Sequence, residues 1–242
     1  MDEGIKLTLI LLIYFALGAG LTFRNNKEKD RQATSESWLK YLVYLGVIAV
    51  FFAIINYFNS WFKFASLWII LAGIFELTML EVRGSKASKI FYFNVLIVFL
   101  LFSWLFYSFS SLERPILLIT FFTVSAFDAF SQTIGQLLGK RKIVPQISPN
   151  KTLGGFFGGI LLAVLTALLV GHIVGLPIQD SLFWGIGISL SAFTGDLAAS
   201  VVKRHYLVKD FSRLIPGHGG YLDRFDSLIF AGAVVYLLIW LI

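Results

Sequence analysis

Residues 155–176 read GFFGGILLAVLTALLVGHIVGL, 22 positions without one Asp, Glu, Lys or Arg. A helix needs about 20 apolar residues to cross the hydrocarbon core of a bilayer, and this run is long enough to do so. Comparable runs lie at about 4–23, 38–58, 61–80, 90–109, 115–138, 181–202 and 222–242. Composition agrees: 57% of residues are hydrophobic, 14% are charged and the mean hydropathy is +0.81, far from a soluble globular profile. The fold class expected is all-α, a polytopic transmembrane helix bundle of about eight spans. Asp2 and Glu3 stand where a secretory signal would be positive, and no small-residue cleavage site follows, so the first span reads as a retained helix. The chain has no cysteine, which excludes disulfides, thiolate catalysis and cysteine metal sites.

Basic residues predict the orientation, because short cytoplasmic loops retain Lys and Arg. With eight spans, the loops after odd-numbered spans hold 17 of the 20: Arg24 to Lys40, Arg83 to Lys89, Lys140 to Lys151, and Lys203 to Arg224. Lys6, Lys63 and Arg114 fall on the other side. Both termini are therefore expected outside, with the polar loops in the cytoplasm. The net charge of +6 then reflects this bias and calls for no nucleic-acid partner.

Polar residues divide the chain in two. Residues 1–114 are spans of unknown role with few intramembrane polar groups, Glu76 being the exception, and Arg24 to Trp38 reads as a solvated loop of mixed charge. Residues 115–242 are expected to be the catalytic domain. In its first span Asp128, Ser131, Gln132 and Gly135 share a helix face, which must look into protein or a watery cavity; Gly135 and Gly139 are spaced for close helix packing. Next, Ser148-Pro-Asn-Lys151-Thr152 reads as a helix start, Ser148 capping and Pro149 in the first turn, with Lys151 and Thr152 placed to meet phosphate. Asp196, Ser200 and Lys203 then line one face of the seventh span, and Asp223 and Asp226 open the eighth. Carboxylates that converge repel unless a cation lies between them, and oxygen ligands beside phosphates suit Mg²⁺. Three histidines and no cysteine argue against zinc.

The run Ser200-x-x-Lys203-Arg204, Lys209-Asp210-x-Ser212, Leu214-Ile-Pro-Gly-His218-Gly219-Gly220 and Leu222-Asp223-Arg224-Phe225-Asp226-Ser227 resembles the signature of phosphatidate cytidylyltransferases, the CDP-diacylglycerol synthases. Asp128-x₆-Gly135-x₃-Gly139-Lys140, the Ser148 to Thr152 loop and Gly195-Asp196-Leu197 fall in the family's order, so the resemblance covers about residues 125–242. Gly154 replaces the family's usual Glu, and Phe130 and Gln132 stand where Gly and Tyr are common, which bears on lipid or nucleotide specificity.

The resemblance implies transfer of CMP from CTP to the phosphate of phosphatidic acid, giving CDP-diacylglycerol and pyrophosphate at a site facing the cytoplasm. It implies that Asp196 and Asp223 hold Mg²⁺, with Asp226 supporting or binding a second cation, and that K⁺ is a companion ion. Lys203, Arg204, Lys209 and Arg224 would take phosphates, and Gly219 and Gly220 would let backbone N–H groups approach them. His218 would orient the attacking phosphate or a ligand, and Asp128, Ser148, Lys151, Thr152 and Ser200 complete the substrate set. It also allows a homodimer. Two other readings compete: a CTP-dependent polyprenol-type lipid kinase, in which Asp128 would act as base, and a cation-coupled transporter, which predicts helices broken in mid-membrane. The basic cluster beside the acids disfavours the transporter, and the Asp-x-x-Asp-Gly-x-x-Ala-Arg pattern of CDP-alcohol phosphotransferases is absent.

Overall fold

The computed structural model describes residues 2–27, 30–83, 88–215 and 219–241. Among them are eight helices, each long and apolar enough to cross a membrane: α1 Glu3–Asn26, α2 Arg31–Tyr57, α3 Phe62–Val82, α4 Lys89–Phe109, α5 Arg114–Leu138, α6 Leu153–Ile173, α7 Ile178–His205 and α8 Leu222–Leu241. The chain is an integral membrane protein of all-α class. All eight spans are continuous helices, so the broken spans that a transporter predicts do not occur among the described residues.

Local chemistry sets the boundaries. The Asp2, Asp30 and Ser88 side chains accept the backbone N–H of Gly4, Ala33 and Phe91, capping α1, α2 and α4. Asp30 corrects the expected solvated loop: α1 persists to Asn26 and α2 begins at Arg31, because a good cap lets a polar first turn remain helical. At the end of α6, Gly175 turns the backbone with φ of 80°, Leu176 N–H returns to the Gly171 carbonyl at 2.8 Å, and Pro177 leads into α7.

The segment before α6 also differs from expectation. Ser148–Thr152 is a β-strand (β2) paired antiparallel with Lys142–Val144 (β1), and the α6 cap is Thr152, whose hydroxyl accepts Gly155 N–H at 3.1 Å. Pro149 explains this, since proline disfavours helical geometry in the residue before it and needs no ladder hydrogen bond at an exposed strand position.

Packing centres on α5, which is buried nearly all round from Leu117 to Phe127 and touches α2, α6, α7 and α8. In lipid, helices associate by close packing rather than by escape from water, and the α5–α6 seam does this through glycine. A Cβ on Gly155 would lie 2.5 Å from the Ser131 carbonyl oxygen, and one on Gly139 would overlap the Thr152 hydroxyl at 2.1 Å. The spacing of Gly135 and Gly139 has the packing role expected. From the front half, α3 and α4 pack on α8, α2 on α5, and α1 meets α6 where the Tyr14 and Thr166 hydroxyls bond at 2.6 Å.

Candidate active site

One cavity of about 1160 Å³ gathers most of the predicted residues. Its charged side comes mainly from the cytoplasm-predicted ends of α5, α7 and α8, from β2 and from the segment after α7; α1 and α2 add apolar side chains such as Leu11, Phe15, Leu21 and Ile48 together with Tyr14, Tyr41, Tyr44, Glu36 and Lys40. Asp128, Ser148, Lys151, Thr152, Asp196, Lys203, Lys209, Gly219, Asp223, Arg224 and Asp226 all line it. Ser200, Arg204 and Gly220 lie behind the wall, and His218 falls outside the described residues.

The carboxylates differ in how they are satisfied. Asp223 is the most constrained: Oδ1 takes the Lys203 ammonium at 2.7 Å, while Oδ2 accepts Phe211 N–H at 2.8 Å and Gly220 N–H at 2.9 Å. Asp196 pairs with Lys151 and accepts the Ser200 hydroxyl at 3.4 Å. Both partners are remote in sequence, Lys151 by 45 positions from Asp196 and Lys203 by 20 from Asp223. Asp128 receives only the Ser227 hydroxyl, at 3.3 Å, and Asp226 only the N–H of Ser227, at 2.7 Å; neither has an ion-pair partner among the described residues. Asp128, Asp196 and Asp226 stand within electrostatic reach of one another.

The basic side chains divide similarly. Lys151 and Lys203 are held by carboxylates and lie over the Phe193 and Phe211 rings at 4.9 and 5.2 Å. Lys209, Arg213 and Arg224 have no carboxylate partner among the described residues, and Arg224 Nε is buried without a hydrogen-bond acceptor. A buried, unpaired guanidinium N–H on a cavity wall suits an anion, because leaving it unsatisfied is costly. Arg204 is engaged elsewhere. Its guanidinium bonds the Ile147 and Val208 carbonyls, each at 2.9 Å, tying the hairpin turn to the end of α7.

The glycines after His218 also make room for the protein's own carboxylates. Gly220 gives its N–H to Asp223, and a Cβ there would lie 2.4 Å from Glu76 Oε1; Gly219 has φ of 82°, and its Cβ would lie 2.8 Å from Asp223 Oδ2. Their smallness admits two carboxylates of the protein itself.

Among the described residues no three Asp, Glu or His side chains are close enough to form a metal cage unaided. Mg²⁺ needs no such cage, since one or two carboxylates, substrate phosphates and water complete its octahedron. An all-oxygen donor set with two acids free of lysine partners fits that requirement.

Three contributors escaped the sequence reading. Asp210 and Arg213 line the cavity, and a tyrosine of α2, Tyr44, borders it close to Asp128 and Arg224. Asp210 and Arg213 lie inside the quoted signature; for Tyr44 an isolated tyrosine in an apolar span gave no signal.

Eight membrane-length helices around a mixed-charge cavity define the class: an integral membrane protein with a polar site among its spans. The model of the Cytidylyltransferase family matches residues 5–242, and the chain belongs to that family. It is 46% identical over 114 residues to the phosphatidate cytidylyltransferase of Bacillus subtilis, an alignment covering 46% of this chain and 42% of that protein. Against the phosphatidate cytidylyltransferase of Staphylococcus epidermidis it is 45% identical over 125 residues, 51% of this chain and 48% of the relative. An uncharacterized Escherichia coli protein, YnbB, is 43% identical over 106 residues, 43% of this chain and 36% of its own. The chain thus spans less than half the length of the curated relatives it matches.

Proposed function

We propose that this chain transfers CMP from CTP to the phosphate of phosphatidic acid, forming CDP-diacylglycerol and releasing pyrophosphate. The observation that carries this reading is one cavity that joins unpaired basic groups and free carboxylates to apolar side chains of α1 and α2 such as Leu11, Phe15, Leu21 and Ile48. Family membership and the names of the two phosphatidate cytidylyltransferase relatives support the same reaction. The cavity faces the cytoplasm in this reading, which the positive-inside distribution supports.

In the reaction a phosphatidate oxygen attacks the α-phosphorus of CTP; a new P–O bond forms while the bond to the β-phosphate bridging oxygen breaks, and pyrophosphate carries away the charge. Both reactants are polyanions, so the protein's work is alignment and charge neutralisation. Arg224, Lys209 and Arg213 receive phosphate oxygens first, being free of carboxylates. Lys151 and Lys203 add to them by turning from Asp196 and Asp223. No general base is required, because a phosphate monoester loses its second proton near pH ~6. Asp226, which has no lysine partner among the described residues, and Asp196, once Lys151 turns to phosphate, are the carboxylates we assign to Mg²⁺, with Asp223 joining only on release from Lys203; when bound, the metal would neutralise phosphate charge and orient the leaving group.

The test is label transfer from CTP labelled at the α-phosphorus into lipid, with purified protein, phosphatidic acid, and Mg²⁺ with and without K⁺. Wild type is expected to label the lipid, and Asp196→Asn and Asp226→Asn to lower the rate by about 10² or more, the scale for removing an electrostatic catalytic group. Label surviving in both variants refutes the carboxylate assignment. No transfer by wild type refutes the reaction, and γ-label passing to a polyprenol would make the chain a lipid kinase.

A further inference from the structure

Among the described residues of the front half Glu76 is the one buried acid, fully enclosed on α3 and outside the cavity wall. Among the described residues its carboxylate takes no cation. Oε1 accepts the Ser212 hydroxyl at 2.6 Å and Tyr221 N–H at 2.9 Å, and Oε2 accepts Leu222 N–H at 2.8 Å. Tyr221 and Leu222 are the entry to α8, whose free N–H groups and dipole favour a negative group.

The partners of Glu76 interlock with those of Asp223. Asp223 holds the N–H groups of Phe211 and Gly220; Glu76 holds the adjoining Ser212, Tyr221 and Leu222. Two carboxylates, one from each half of the chain, therefore hold neighbouring groups at both ends of the 211–222 segment, at 211–212 and at 220–222. Asp223 faces the cavity and sets Lys203; Glu76 sits behind and fixes the backbone on which Asp223 stands. Gly220 completes the fit, since any Cβ there would strike Glu76. A second tether from α3 lies nearby, where the Tyr206 hydroxyl donates to Glu81 at 3.0 Å.

We infer that Glu76 is a positioning residue for nucleotide transfer: it locks the loop that orients Asp223 and Lys203, and so gives the front half of the chain a part in the site. This rests on the cytidylyl-transfer reading for its kinetic consequence, but the clamp itself does not.

The experiment combines two readouts on Glu76→Gln and Ser212→Ala in lipid nanodiscs. A Gln side chain offers one acceptor oxygen and sets an NH₂ against a backbone N–H, so at least one bond is lost. Hydrogen exchange at Tyr221 and Leu222 is expected to quicken about tenfold or more in Glu76→Gln, the scale of one lost hydrogen bond, with α5 and α6 amides unchanged. The KM for CTP is expected to rise several-fold, which a mere reduction in folded protein would not produce. Ser212→Ala, which leaves the carboxylate satisfied by two N–H groups, should move both readouts the same way by about threefold, and decides the matter if Glu76→Gln does not fold. Unchanged exchange, or lower kcat at unchanged KM, overturns the inference. If wild type transfers no label, the cytidylyl reading fails and the exchange rates alone decide the clamp.

Discussion

Replacing Lys203 by Met measures what the buried ion pair with Asp223 contributes. The two side chains are 10% and 1% exposed and meet at 2.7 Å. At that separation, with an effective dielectric constant of about 20, the gross attraction is about 6 kcal/mol. Desolvation of the two ions offsets much of it, and breaking such a pair by removing one partner typically costs about 3–5 kcal/mol. Asp223 keeps the N–H groups of Phe211 and Gly220, so Lys203→Met should fall at the lower end, near 3 kcal/mol. Asp223→Asn should cost less, about 2 kcal/mol, because Lys203 has a cavity into which to extend its ammonium. With both changes no unpaired charge remains, so the double variant should lose about 3 kcal/mol and not the additive 5, a coupling of about 2 kcal/mol. Reversible unfolding by SDS in mixed micelles, followed through the six tryptophans, provides the readout. Single effects that add to within about 0.5 kcal/mol would refute the pair as an energetic unit.

The glycine seam can be tested by Gly155→Ala, whose Cβ would meet the Ser131 carbonyl oxygen at 2.5 Å, backbone that has little room to yield; a loss of about 1–3 kcal/mol is expected in the same unfolding assay. Thr152→Val keeps the shape but removes the bond to Gly155 N–H, and should cost about 1 kcal/mol. Burial, and then the Glu81 carboxylate that it donates to, push the Tyr206 hydroxyl up to about 12 from an ordinary 10.0. A raised value in the folded state means stability held while the phenol is protonated. The advantage of wild type over Tyr206→Phe should be present below pH ~10 and vanish as pH rises through about 12, read from unfolding midpoints across that window.

The eight spans could be read from apolar run length alone, because the bilayer imposes a length that chance rarely meets. Their ends could not. Asp30 capping α2 turned an expected loop into helix, and Pro149 placed Ser148 in a strand although a Ser-Pro pair equally opens helices. Of the charged cavity residues, Lys203, Lys209, Asp223, Arg224 and Asp226 were recoverable because they cluster within the signature. Their partners were not, since ion pairs depend on which helix faces meet: Lys151 reaches Asp196 across 45 positions and Lys203 reaches Asp223 across 20. Glu76 was visible only as an unexplained acid. Its ligands lie 136 to 146 residues away, and no local pattern encodes a carboxylate that caps another helix.

The glycine contact between α5 and α6 has a mechanical side. Where backbone meets backbone there are no long side chains to bend, so Asp128 on α5 and Lys151 on β2, just ahead of α6, ride on one ribbed plate. On the other side of the cavity, α1 buries only Leu7 and Leu11 of its large apolar side chains and is otherwise held by the Tyr14 hydroxyl, the Glu3–Arg114 ion pair and the Tyr41 hydroxyl on the Phe15 carbonyl, while Ile5, Leu12, Ile13 and Leu17 are exposed. Sparse burial marks the segments that open at least cost. Compliance is therefore divided unevenly: the charged face keeps its dimensions, and the greasy face opposite is the one that gives way to a bulky chain.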